Sequence, residues 1–137
     1  MAESRFSKRM RDELRQFNFD FWRVESHATS PGIPDVHFLL LGTGGWIETK
    51  QVQTEPKKVN YRPQQAGWIQ QYARRGGIAC TLVHIVKPDV VLYVPGTESL
   101  AAEKSLQQCL GVRRIALREP ESWKRLAKLV LGGKVES

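Results

Sequence analysis

Apolar positions set two rhythms along this chain. Phe6, Met10, Leu14 and Phe17 recur at helical spacing over residues 4–17, while Arg5, Lys8, Arg9, Arg11 and Arg15 fall largely elsewhere. This predicts an amphipathic helix with a basic outer face lying on a sheet. Residues 19–25 read as an aromatic-rich strand leading into a polar loop over 26–31. Val36 to Leu41 is a short β-favouring run, bounded by Gly32-Ile33-Pro34 and by Gly42-Thr43-Gly44-Gly45, and predicts a buried strand. Gly44-Gly45 permits the positive backbone angles of a turn, so Trp46 to Val52 is expected to return antiparallel.

The second half alternates in the same way. Pro63 suits the first turn of a helix, and Ala66, Trp68, Ile69 and Tyr72 form an apolar stripe that stops at Arg74-Arg75-Gly76-Gly77. Residues 78–86 and 90–94 are β-rich runs separated by Lys87-Pro88-Asp89, which reads as a turn. A helix over about 98–109, a strand over 112–117 and a helix from Pro120 onward, with Trp123, Leu126, Ala127 and Val130 on one face, complete the pattern. The expected architecture is a single α/β domain over 1–137: a mixed central sheet flanked by helices, with an αβββαβ core over about 3–86 and a C-terminal strand and helix extension over about 87–137. That extension has three readings: it completes the core, builds a dimer surface or clamps DNA.

Composition agrees with one domain, since 137 residues at 41% hydrophobic and 26% charged can bury a modest core. No stretch approaches the roughly 20 apolar residues of a membrane span, and the N-terminus lacks an apolar signal core. An intracellular, cytoplasmic protein is expected, of a kind compatible with phage or bacterial origin. Cys80 and Cys109 lack paired spacing and are expected to be reduced. His37 and His84 fall within strands without ligand partners at metal spacing, so zinc is not expected.

The hairpin carries the chemistry. Asp35 opens the outgoing strand and Glu48-Thr49-Lys50 lies on the returning one, so the two segments meet. Strand alternation puts Glu48 and Lys50 on one face, turns Thr49 away and leaves the Thr49 carbonyl near the cluster. Two carboxylates about 4 Å apart at an effective dielectric near 20 repel by roughly 4 kcal/mol, which protonation or a bound cation must offset. Oxygen-only ligands favour Mg²⁺ or Mn²⁺, a combination suited to phosphodiester hydrolysis. The competing reading is an ordinary ion pair at a strand end. Against it, acidic residues are depleted in strands, yet Glu48 sits between Ile47 and Val52.

A net charge of +7 and a pI near 9.7 point to a polyanionic partner, nucleic acid before an acidic membrane. Lys57, Lys58, Tyr61 and Arg62 fall in a polar segment beside the cluster and are candidates for tracking a DNA backbone, or they belong to a surface loop. His27, in the loop ahead of Asp35, is a further candidate for phosphate contact, or is simply exposed.

Gly32-Ile33-Pro34-Asp35, Glu48-Thr49-Lys50 and Pro63-Gln64-Gln65 followed by Trp68 together resemble the PD-(D/E)XK nuclease superfamily, and within it the small virus-type replication-repair nuclease (VRR-NUC) domains. The resemblance covers roughly residues 3–85. It implies a restriction-endonuclease-like fold and a metal-dependent DNA endonuclease, with Asp35, Glu48 and the Thr49 backbone carbonyl as Mg²⁺ or Mn²⁺ ligands. Lys50 would then stand beside the attacking water and Gln65 would face the catalytic cluster. Such nucleases also carry a glutamate on the first helix, a position that Glu3 fits better than Glu13. A non-cleaving DNA-binding protein on the same scaffold, or an enzyme acting on RNA, are the alternatives. Branched or junction DNA would favour a homodimer, which presents two sites to opposed strands.

Overall fold

The computed structural model describes residues 5–24 and 32–132. Glu3 and His27, both raised by the sequence, lie outside the described residues. The elements run α1 (Arg5–Leu14), β1 (Asp20–Arg23), β2 (Val36–Leu40), β3 (Thr43–Val52), α2 (Gln65–Arg74), β4 (Ala79–Ile85), β5 (Val90–Pro95), α3 (Ser99–Lys104), β6 (Arg113–Ala116) and α4 (Ser122–Val130). Among the described residues six strands form one sheet in sequence order. Among the described strands only β3 and β4 pair in parallel, with α2 as the crossover between them; every other neighbouring pair is antiparallel, so the sheet is mixed as expected.

Alternation along the strands sends residues to two faces. On one, Phe6, Met10 and Leu14 of α1 share a buried cluster with Phe38, Ile47, Leu82 and Val91 of the sheet and with Trp123, Leu126 and Val130 of α4. On the other, Val83, Leu92 and Val94 pack with Val59 and with Ala102 of α3, and α2 lies beside α3. The C-terminal residues therefore complete the core: β5 and β6 extend the same sheet, and α4 shares its apolar face with α1. Among the described residues no helix is long and apolar enough to cross a membrane, and Cys80 and Cys109 are free and buried.

Three local expectations are revised. The β2–β3 turn is Leu41-Gly42, both at positive φ (48° and 87°), and Leu40 pairs with Thr43. Gly44 and Gly45 are strand residues instead. A Cβ on Gly45 would lie 2.6 Å from Phe38 Cζ and 2.8 Å from the Ile78 carbonyl oxygen, so this glycine lets a phenyl ring cross the strand. The helix expected over 98–109 is split into α3 and two flanking 3₁₀ turns, because Ser105 is extended (φ −164°). Finally, residues 57–59 are tied down. The Val59 N–H donates to the Ala102 carbonyl at 2.9 Å, and the Lys57 carbonyl accepts from Leu106 N–H at 2.8 Å.

A candidate carboxylate centre at the end of β3

Asp35 is placed by its main chain before its side chain does anything. Its carbonyl accepts the Val24 N–H at 2.8 Å beyond the end of β1, and its own N–H donates to Glu48 Oε1 at 3.0 Å. The pairing of β2 with β3 stops at Val36 and Ile47, so Asp35 and Glu48 sit side by side just past the last ladder pair. Proline before Asp35 keeps the preceding peptide out of the ladder. Gly32 (φ 93°) lets the turn touch α2: a Cβ there would fall 2.9 Å from Trp68 Cβ and 3.0 Å from the Gln64 carbonyl oxygen.

Asp35, Glu48, Thr49, Lys50 and Gln65, all named from the sequence for this cluster, are brought together with Arg62. Lys50 Nζ lies 3.2 Å from Glu48 Oε2, donates to Gln65 Oε1 at 3.3 Å and sits 5.8 Å from the Tyr61 ring centre. Gln65 is fully buried. Its Oε1 also accepts the Arg62 N–H at 3.2 Å, while its Nε2 is buried with no partner among the described residues.

Thr49 is engaged in a way that alternation alone did not show. Although its neighbours Glu48 and Lys50 face α2, the Thr49 main-chain N–H donates to Asp35 Oδ1 at 2.9 Å and its hydroxyl donates to Asp35 Oδ2 at 2.6 Å. Thr49 thus grips Asp35 through its side chain as well as its backbone.

Arg62, expected as a backbone-tracking cation, reaches into the centre. It donates from Nη2 to the Ile33 carbonyl at 3.0 Å and lies 4.0 Å from Glu48 Oε1. Tyr61 is largely buried as well: its hydroxyl is 2.8 Å from Thr81 Oγ1, and burial pushes the phenol up to about 12. Lys57 and Lys58 remain exposed. His37 lies between Trp22 and Trp46 in tilted ring contacts, with ring centres 5.7 and 4.8 Å away, and His84 hydrogen-bonds Asp89 Oδ1 at 2.7 Å.

Electrostatics sets the centre apart from a surface ion pair. Glu48 is 4% exposed, and its carboxyl is raised to about 7, first by burial and then by the neighbouring Asp35 charge, against the opposing pull of Lys50 and Arg62. Asp35 is raised by burial too, with its Thr49 bonds pulling the other way. Two desolvated carboxylates that resist ionisation side by side are a donor set in want of a cation. Each oxygen accepts one bond and keeps further lone-pair capacity. The residues therefore fit a hard, oxygen-preferring ion. Among the described residues no three His, Cys, Asp or Glu side chains converge, so these supply two carboxylates and no third.

No family model and no curated protein matches the chain. Among solved structures it is similar to the 1.6 Å structure of Hjc, a Holliday junction resolvase from the archaeal hyperthermophile Archaeoglobus fulgidus, with a TM-score of 0.59 and 19% identity over 96% of this chain and 98% of that one. The fold is restriction-endonuclease-like. At 96% of this chain the likeness extends over β5, β6 and α4 as well as the earlier elements.

Proposed function

We propose that this chain is a metal-dependent DNA endonuclease that hydrolyses phosphodiester bonds and selects its substrate by shape, with branched or junction DNA the leading class. The observation that carries the reading is the buried Asp35–Glu48 pair with Lys50 against it. A scaffold that only binds a polyanion has no use for two carboxylates facing it. The fold likeness to a Holliday junction resolvase supports the substrate class. The Gly-Ile-Pro-Asp, Glu-Thr-Lys and Gln motifs support a place among the PD-(D/E)XK nucleases, of the VRR-NUC kind.

Asp35, Glu48 and the Thr49 carbonyl would hold the ion. Bound there, Mg²⁺ or Mn²⁺ supplies Lewis acidity and a more acidic water. The chain's own groups do the rest. Thr49 fixes the rotamer of Asp35 through two donated bonds, and the Asp35 peptide N–H does the same for Glu48. Lys50, restrained by Glu48 and Gln65, directs its N–H bonds at the negative charge that builds on the phosphate. The unspent Gln65 Nε2–H is a neutral donor for an incoming oxygen. Arg62 adds positive charge beside Glu48 and links it to the 32–35 turn.

Junction cutting is served by a homodimer, whose two-fold axis offers two centres to opposed strands. The test is a cleavage panel of duplex, flap, four-way junction and single-stranded DNA, with an RNA control, under Mg²⁺, Mn²⁺ or chelator, alongside solution mass. Cleavage that needs the ion and favours junctions supports the reading; binding without cleavage under every ion defeats it.

A further inference from the structure

On the α1 face of the sheet, past the end of β3, a groove of about 620 Å³ is open to solvent, and Arg5, Arg9, Gln51, Gln53, Asp89 and Arg118 line it. We propose that this groove is a second phosphate site, which seats the nucleic-acid backbone flanking the phosphate engaged at Glu48 and Lys50. The proposal rests on the nuclease reading above and gives the C-terminal residues a part in substrate binding through Arg118.

Charge comes first. Three guanidinium groups stand against one carboxylate, so the lining is net positive. Asp89 is held near 2, chiefly by its bonds from Arg9, and stays ionised. It acts as an internal spacer. Arg9 grips it through two bonds, Nη1 to Oδ1 at 2.8 Å and Nη2 to Oδ2 at 3.2 Å, and lies 5.6 Å from the Trp123 ring centre. His84 Nε2 takes the remaining side of Oδ1 at 2.7 Å.

That Arg9–Asp89–His84 brace is sufficient to tie α1 to the β4–β5 turn. Arg118 and Arg5 are surplus to it. Arg118 brings only its Nε near Asp89 Oδ2, at 3.6 Å, and its side chain is 86% exposed, which leaves the planar end of the guanidinium free to meet a phosphate through two parallel donors. Arg5 is exposed, and among the described residues it has no carboxylate partner. Arg5 and Arg118, the latter held only through its Nε, thus share a net-positive groove.

Position supplies the link to the centre. Gln51 follows Lys50 on β3, faces the opposite side and accepts the Phe6 N–H at 3.2 Å at the start of α1. Gln53 lies three residues past Lys50, about 10 Å at the strand rise of about 3.3 Å per residue. That offset is short against the length of a bound nucleic-acid backbone, so a strand leaving the centre past the end of β3 can reach the groove.

The experiment measures binding of labelled duplex and four-way junction DNA by fluorescence anisotropy over a salt series. It compares the wild type with Arg5→Gln, Arg118→Gln, the double variant and Arg118→Lys. Each glutamine variant is expected to flatten the log–log salt slope on duplex by about 0.9, and the double variant by about 1.8. Arg118→Lys should keep the wild-type slope, and unchanged thermal midpoints will confirm folding. A double variant with the wild-type slope overturns the phosphate site and leaves the nuclease reading in place. A wild-type protein that neither binds nor cuts any DNA form overturns both.

Discussion

The main-chain N–H of Asp35 donates to Glu48 Oε1 at 3.0 Å, so Glu48 is positioned by the peptide of Asp35 and not by its carboxylate. Deleting the Asp35 side chain therefore leaves the bond that seats Glu48. Asp35→Ala is expected to fold, at a cost of about 1–3 kcal/mol for the Thr49 donors left unpaired, and to retain DNA binding while cleavage is abolished. Lys50→Ala should behave alike. Undiminished Mg²⁺-dependent cleavage by both purified variants would refute the assigned centre.

Thr49 gives a finer test. Its hydroxyl donates to Asp35 Oδ2 at 2.6 Å, a bond that lowers an Asp35 carboxyl otherwise raised by burial. Thr49→Val keeps the shape and the main-chain N–H but removes this donor, so Asp35 rises further. The acid limb of the pH–rate profile should move to higher pH, and Thr49→Ser should restore it. A limb that stays in place in Thr49→Val would show that Asp35 ionisation does not govern the rate.

Much of this centre was legible because its parts are short-range. Gly32 to Asp35 and Glu48 to Lys50 are joined by one hairpin, and strand alternation puts Glu48 and Lys50 on the same face. What was hidden depends on contacts between distant elements. The turn was expected at Gly44-Gly45, because glycine pairs mark turns; here Gly45 is needed beneath Phe38, a requirement that arises only after β2 and β3 have paired. Arg62 reads as one cation among several, yet it bonds the Ile33 carbonyl, and only the packing of α2 on Gly32 brings it there. Its place immediately before Pro63 and three residues ahead of Gln65 was the available hint. The role of α4 was left open among three readings, since an apolar stripe does not name the face it covers.

Glu48 makes stability depend on pH. Its carboxyl holds a proton up to about 7 in the folded chain, against an ordinary 4.5. Between these values the folded state binds more protons than the unfolded state, so the contribution is fully present below 4.5 and is lost as pH rises through about 7. A shift of this size corresponds to about 3 kcal/mol. Without divalent ions, the thermal midpoint should fall from pH 5 toward pH 8 in the wild type and stay nearly level in Glu48→Gln. At pH 8, Mg²⁺ should raise the wild-type midpoint, by about 2.7 kcal/mol of stability at one hundred times its dissociation constant, and leave Glu48→Gln unmoved. Equal Mg²⁺ responses would remove Glu48 from the ligand set.

Lys57 and Lys58 are exposed on a segment whose backbone is pinned to α3 and the turn after it, so they present charge from a fixed base. If they meet phosphates, Lys57→Gln with Lys58→Gln should lower the log–log salt slope of duplex binding by about 1.8 without altering the cation requirement of cleavage. A slope equal to that of the wild type would discard this surface.

Gln65 is buried with Nε2 unpartnered while Oε1 accepts from both Lys50 and Arg62. An orphaned buried donor costs about 1–3 kcal/mol, and a donor aimed at charge that develops during reaction recovers that cost only on the way to the transition state. Gln65→Glu keeps an acceptor for Lys50 and Arg62 but replaces the donor with a second acceptor. It also adds negative charge beside Glu48, which pushes Glu48 higher still. If Nε2–H serves the reaction, kcat should fall by about 10²–10³-fold with KM little changed. Because the shape and both anchoring bonds survive the exchange, a fall confined to KM would instead make Gln65 a support for Lys50 and Arg62 with no part in the chemical step.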